Sequence, residues 1–275
     1  MAEIFAVIGG DGRQRYLAEG LSALGNVVRT FAVPGTEDTV NNLKDTLHLA
    51  SCVILPMPLL DSEGYIRNGR GLPLTPSQIT DFLPPGARVF AGKPGCAAGV
   101  LSKAALLEDY STWEALAIHN AAVTAEGALI LAGRHMDATI QGSRFLVVGA
   151  GRIGMFLAQK LQALGGNVTV SARKERDLAR IEALGLTADI TKQYTLGLGG
   201  YDCIFNTVPN RVFTSEQMKT IADNCIIIEL ASAPGGFPPD AGARILSGAA
   251  LPGKMYPRTA GHLLLQEILK HIRPE

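Results

Sequence analysis

The segment Gly149-Ala150-Gly151-Arg152-Ile153-Gly154 limits the fold of this chain more than any other feature. It follows the apolar run Phe145-Leu146-Val147-Val148 directly and opens an amphipathic stretch from Arg152 to Leu164. In a strand–turn–helix of this kind the first glycine permits the tight turn, and the second lets a pyrophosphate approach the backbone. The third lets the helix pack close to the strand, while the helix N-terminus supplies N–H donors to the anion. The expectation is therefore a Rossmann dinucleotide site in which Gly149, Gly151, Arg152, Ile153 and Gly154 touch the cofactor. After the next strand, where an acid would select NAD, the chain reads Ser171-Ala172-Arg173-Lys174. An acid there repels a 2′-phosphate, whereas Ser171, Arg173 and Lys174 can bind one, so NADP is expected, with NAD still possible. Ligands of such sheets lie beyond the carboxyl ends of the strands, which adds Thr207, Val208 and Pro209, and then Ala231 and Ser232.

Short β-branched runs alternate with helical patterns along the whole chain, so the fold class is α/β with two doubly wound parallel-sheet domains, the C-terminal one being the Rossmann domain. Strands are expected at Ile4–Ile8, Val27–Phe31, Cys52–Leu55 and Ala87–Ala91, with a first crossover helix over Arg13–Leu24. In the second half they are expected at Arg144–Val148, Asn167–Ala172, Tyr201–Thr207, Cys225–Leu230 and Arg244–Leu246. Helices are expected around Arg152–Leu164, Lys174–Leu184, Ser215–Asp223 and Thr259–His271, and over the Ala-rich stretch Ala115–Gly133. The division is placed at 1–139 and 140–275, with the terminal helix packing back on the first domain. Pro56 to Pro76, rich in glycine and proline, reads as a long functional or mobile loop.

With 275 residues, 47% hydrophobic, the chain can bury two cores. Its 25 basic and 25 acidic residues cancel, which argues against nucleic acid or a membrane surface as a partner and favours a small molecule. The start of the sequence lacks a signal-peptide pattern, and no apolar run approaches the roughly 20 residues that span a bilayer, so the cytoplasm is expected. Cys52, Cys96, Cys203 and Cys225 are too widely spaced for a metal set and read as reduced thiols. No metal site and no Ser/His/Asp arrangement is legible.

A second glycine turn, Ile8-Gly9-Gly10-Asp11-Gly12-Arg13-Gln14, also joins a strand to a helix but lacks the dinucleotide spacing. It suits a polar ligand brought to a helix N-terminus by Asp11, Arg13 and Gln14, or else a simple Asp11 cap.

An ordered set of segments resembles one family, the A subunit of dipicolinate synthase of spore-forming bacteria. They are Ala6 to Gln14, Thr124-Ala125-Glu126-Gly127-Ala128, and Ile140-Gln141-Gly142-Ser143 leading into the glycine turn. Ala172-Arg173 with Leu178-Ala179-Arg180-Ile181, Phe205 to Pro209, Leu230 to Gly236, Leu251 to Lys254 and Thr259-Ala260-Gly261 complete it. Pro56 to Pro76 and Lys93-Pro94-Gly95-Cys96 depart from the pattern. The resemblance implies oxidation of a dihydrodipicolinate-type precursor to dipicolinate, with NADP as acceptor and the flavoprotein-like B subunit of dipicolinate synthase as partner. It also implies the mother cell of a spore former as the setting. A homo-oligomer is expected as well.

Such a reaction needs two carboxylates held and a base supplied. Arg13, Lys254 and Arg258, each beside a Gly- or Pro-shaped loop, are the candidates for the carboxylates. His119, Asn120, Thr124 and Glu126 are the catalytic candidates, with His119 or Glu126 as base. Two other readings stay open: a two-domain NADP dehydrogenase of a 2-hydroxy or 2-amino acid, and an NADP-binding regulatory or scaffolding protein whose partner carries catalysis.

Overall fold

The computed structural model describes residues 3–39 and 42–272, with only the backbone of residues 242–244. The chain forms two compact units, Met1–Asn120 with Pro252–Glu275, and Ala121–Leu251. The boundary between the units falls inside a helix, between Asn120 and Ala121, and the segment from Pro252 belongs to the first unit.

The elements run β1 (Ile4–Ile8), α1 (Gly12–Ala23), β2 (Val27–Phe31), α2 (Leu43–Leu47), β3 (Cys52–Ile54), α3 (Pro76–Thr80), β4 (Arg88–Ala91), α4 (Ala98–Ala104) and β5 (Leu106–Asp109). The long helix α5 (Glu114–His135) follows, and then β6 (Arg144–Val148), α6 (Arg152–Ala163), β7 (Asn167–Ala172), α7 (Glu175–Ala183), β8 (Thr187–Ile190) and β9 (Cys203–Asn206). The chain closes with α8 (Ser215–Lys219), β10 (Ile226–Glu229), β11 (Ile245–Ser247), α9 (Leu251–Met255) and α10 (Pro257–Ile272).

The first sheet has the order β2-β1-β3-β4-β5 and the second β11-β10-β9-β6-β7-β8. Every pairing is parallel. Both are doubly wound, with the strand order reversing between β1 and β3 and between β6 and β9, where such sheets bind ligands. Strands covered on both faces must be apolar throughout. In β1 the side chains obey period two: Ala6 and Ile8 join a core with Leu47, Val53, Leu55 and Val89, while Phe5 and Val7 join another with Leu17, Leu21, Ile54 and Phe90. The second core includes Leu264, Leu265 and Ile268 of α10. Gly20 makes room for Leu265, and Gly261 brings α10 against the Arg13 backbone. Each fully buried leucine or isoleucine contributes about 2 kcal/mol.

The Pro56–Pro76 stretch is an ordered cover and not a free loop. Leu59, Ile66 and Leu74 are buried in the first core, Leu60 and Ile66 form an antiparallel bridge, and the Asn68 carboxamide ties Ile66 and Leu72. By length and composition alone α5 is apolar enough to cross a membrane, but His119, Asn120, Thr124 and Glu126 interrupt the stretch, and Leu116, Ala121, Ala125, Ala128 and Ala132 are buried within the protein, as in a core helix.

Candidate functional site

The glycine turn of the second unit uses its three glycines differently. Gly149 has φ +105°, and a Cβ there would lie 2.8 Å from Val208 and strike the Thr207 hydroxyl. A Cβ at Gly154 would collide with the Gly149 carbonyl oxygen, so the close approach of α6 to β6 requires glycine. A Cβ at Gly151 would meet nothing within 4 Å, so this position needs no glycine for packing and leaves the backbone approachable. Gly151 is the N-cap of α6 with no side-chain cap bond, and it is exposed together with Arg152, while Ile153 is half-buried. An uncapped helix start at an approachable backbone fits the pyrophosphate of a dinucleotide.

The strand ends beside this turn are tied to one another. Thr207 Oγ1 donates to the Val148 carbonyl at 2.8 Å, pinning the β9 exit to the β6 exit. Buried Asn206 donates from Nδ2 to Glu229 Oε1 at 2.7 Å and to the Val208 carbonyl at 2.9 Å, and its Oδ1 accepts from Val208 N. Glu229 in turn accepts from Ala231 N at 2.9 Å and from Gly236 N at 2.7 Å. A single carboxylate thus shapes the loops that carry Val208 and Pro209 and, at the next strand, Ala231 and Ser232, of which Pro209 and Ser232 are exposed. Glu229 was not singled out in the sequence because it sits inside an apolar strand run. The signal that could have found it is an acid at the carboxyl end of a strand, opposite Asn206 in register.

At the β7 exit the candidates separate. Ser171 is fully buried, and its hydroxyl accepts from Thr191 Oγ1 at 3.1 Å, so it faces the protein interior. Arg173 and Lys174 are exposed, and neither forms an ion pair among the described residues. Lys174 is the N-cap of α7 and makes no side-chain cap bond. Two free cations and no acid at this strand end fit a 2′-phosphate.

In the first unit, Asp11 caps α1 in a capping box: its carboxylate accepts from Arg13 N at 3.0 Å, and Asp11 N donates to Gln14 Oε1 at 3.0 Å. Arg13, 8% exposed, pairs with the same carboxylate at 2.8 Å and donates to the Met57 carbonyl at 2.7 Å. Burial opposes the Asp11 charge, but the Arg13 bonds and charge outweigh it and hold the carboxyl below its ordinary range. Burial likewise opposes the Arg13 charge, and the Asp11 carboxylate more than restores it. The turn is closed by other segments: Gly10 N donates to the Arg67 carbonyl at 2.7 Å, Pro257 lies against Gly12, and Gly253 lies against the Asp11 carboxylate. The sequence-distant candidates therefore meet, because the segment bearing exposed Lys254 and Arg258 packs on the turn bearing Asp11, Arg13 and Gln14.

The four candidates on α5 do not form one cluster. His119 and Glu126, seven residues apart, share an exposed stripe, and Glu126 Oε2 lies 3.7 Å from Lys160 Nζ. Asn120 and Thr124, four apart, lie on another side, with Thr124 9% exposed. Burial first of all pushes the Cys52 thiol up to about 11 and raises Cys203 as well, so these are inert core thiols. Among the described residues no group of three His, Cys, Asp or Glu could hold a metal ion.

Comparison with known proteins supplies names for both halves. Residues 4–105 match the family of dipicolinate synthase A-subunit N-terminal domains, and residues 144–222 the "Pyridine nucleotide-disulphide oxidoreductase" family. The A subunit of dipicolinate synthase of Bacillus subtilis (strain 168) is 36% identical over 167 residues, an alignment covering 58% of this chain and 56% of that protein. The chain thus spans little more than half the length of this curated relative. The crystal structure of the dipicolinate synthase A subunit from Bacillus halodurans superposes with a TM-score of 0.85 at 26% identity, covering 99% of this chain and 98% of that one. The crystal structure of its Bacillus subtilis counterpart gives 0.82 at 26% identity, covering 99% and 96%. In its N-terminal domain, in the sequence shared over 167 residues and in its two-sheet fold, this chain is similar to the A subunits of dipicolinate synthase.

Proposed function

We propose that this chain is an NADP-dependent oxidoreductase that converts a dihydrodipicolinate-type precursor to dipicolinate, pyridine-2,6-dicarboxylate. The observation that carries the reading is the pairing of an approachable, uncapped Gly151 turn with a β7 exit bearing Arg173 and Lys174 in place of an acid. In support stand a pyridine-nucleotide domain and an A-subunit N-terminal domain on one chain. The substrate-side role falls to residues 1–139 and the nucleotide role to residues 140–275, with α10 serving the first.

Oxidising the partly reduced ring removes a hydride from a saturated ring carbon and a proton from its neighbour, and aromaticity favours the product. NADP, when bound, supplies the two-electron acceptor. The chain's own residues hold and orient. Gly151, Arg152 and Ile153 would hold the pyrophosphate and Arg173 and Lys174 the 2′-phosphate, while Thr207 with the Asn206–Glu229 pair fixes the strand-end loops of Val208, Pro209, Ala231 and Ser232, which would hold the nicotinamide half. Arg13, Lys254 and Arg258 bind the substrate carboxylates, and Asp11 and Gln14 fix the turn that presents Arg13. For the proton, His119 stands ahead of Glu126, whose carboxylate is already drawn to Lys160. Asn120 and Thr124, on another side of α5, position the helix.

A flavoprotein-like B subunit is the proposed partner, since the relatives' names specify one subunit of a larger synthase, and a cytoplasmic setting is proposed with it. A second reading, in which this chain only binds NADP and its partner carries the chemistry, is favoured by one observation: the four α5 candidates are split between two sides. The test is nucleotide reduction by the purified chain, alone and with its partner. Reduction by the chain alone supports the first reading, and reduction only with the partner supports the second.

A further inference from the structure

β4 leads through Gly92 into Lys93, whose φ of +51° is left-handed. That conformation costs a residue with a Cβ about 1 kcal/mol and costs glycine almost nothing. The surroundings hold it there. Lys93 N donates to Asp109 Oδ1 at 3.1 Å and to Ser111 Oγ at 3.3 Å, and the same Asp109 oxygen accepts from Ser111 N at 2.9 Å. Gly92 is pressed against Met57 and the Tyr110 ring, so a Cβ there would clash with both. Met57 gives its carbonyl to Arg13. The exits of β1, β3 and β4 are thereby linked through Arg13, Met57 and Gly92, at the place where the strand order of this sheet reverses.

The Lys93 side chain is exposed, and no carboxylate pairs with it among the described residues. Strain held at a strand exit, with an unpaired cation beyond it among the described residues, suits a residue that meets a ligand. A second observation lies in the adjoining turn. Gln14 is fully buried, its Oε1 is engaged by Asp11 N, and its Nε2 donor has no partner. Such a donor is costly to leave unsatisfied and suits an acceptor oxygen brought to the turn.

We propose that Lys93 binds one carboxylate of a small dicarboxylic acid lodged at the carboxyl ends of β1, β3 and β4, which Gln14 and Arg13 approach from the β1 side. This assignment rests on the dipicolinate reading above.

The test is calorimetric titration of pyridine-2,6-dicarboxylate into the full chain in saturating NADP, with thermal melting of each variant. K93Q should weaken binding about tenfold or more and K93R no more than about threefold, as expected when one charge-assisted contact is lost or kept. K93G should weaken binding as much as K93Q while raising the melting temperature, because it relieves the left-handed strain. NADP affinity should be unchanged in all three. Wild-type-like binding by K93Q, or a K93G that loses binding and stability together, overturns the Lys93 assignment and leaves the dipicolinate reading intact. A wild-type chain that binds no dicarboxylate overturns both.

Discussion

At the scale of single residues, the glycines of the nucleotide turn separate folding from binding. Gly151→Ala should melt within about 1 kcal/mol of wild type, since its φ is −81° and no atom lies near its Cβ, yet lose NADP affinity at least about tenfold. Gly154→Ala should cost about 2 kcal/mol or more, because its Cβ meets the Gly149 carbonyl. Melting curves and nucleotide titration of the two variants check both. Replacing Arg173 and Lys174 together by alanine should reduce NADP affinity about tenfold or more while leaving NAD affinity within about twofold, read from the two dissociation constants. Asp11→Ala removes a cap and strands the buried Arg13 charge, a loss of about 3 kcal/mol in urea unfolding. Asp11 is held below its ordinary value of 3.8, so its contribution to stability is present above that pH and is lost as the pH falls through its lower folded value. Asp11→Asn should therefore flatten the acid limb of the stability profile below about pH 4 and leave its neutral shape unchanged.

At the scale of elements, what was legible in the sequence follows from burial. Strands β1 and β6 carry apolar runs because both faces are covered, β7 sets Val168 and Val170 between small polar residues, and the expected bounds of all three coincide with those observed. β5 (Leu106-Leu107-Glu108-Asp109) and β8 (Thr187-Ala188-Asp189-Ile190) were not legible. Each is a four-residue edge strand carrying acids, so neither shows an apolar run nor a clean alternation. The glycine turn and the cations after β7 could be read locally, whereas the Asn206–Glu229 bond and the Gly253–Asp11 contact join residues far apart in sequence and leave no local trace. α10 depends on such contacts too. Leu264→Ala with Ile268→Ala should destabilise the first unit by about 5 kcal/mol. The same change should alter the fluorescence of Trp113, the sole tryptophan, whose ring stacks on His271 of α10 at 3.6 Å.

At the scale of the whole molecule, one chain carries two parallel sheets, each with its own reversal of strand order. The second presents a dinucleotide turn, and the first a polar turn rich in cations around Asp11. Because the last helix belongs to the first unit's core, a chain ending at Leu251 should expose Leu17, Leu21 and Phe90, and the first unit should lose its cooperative unfolding. The proposed reaction moves a hydride from a reduced pyridine dicarboxylate to NADP. Its most direct test is the absorbance of NADPH when dihydrodipicolinate, generated in place, is given to the purified chain with NADP, alone and with its partner. NADPH should form with the chain itself, and its formation should stop when Gly151 is replaced by alanine. NADP binding with no NADPH formed in either mixture would contradict it.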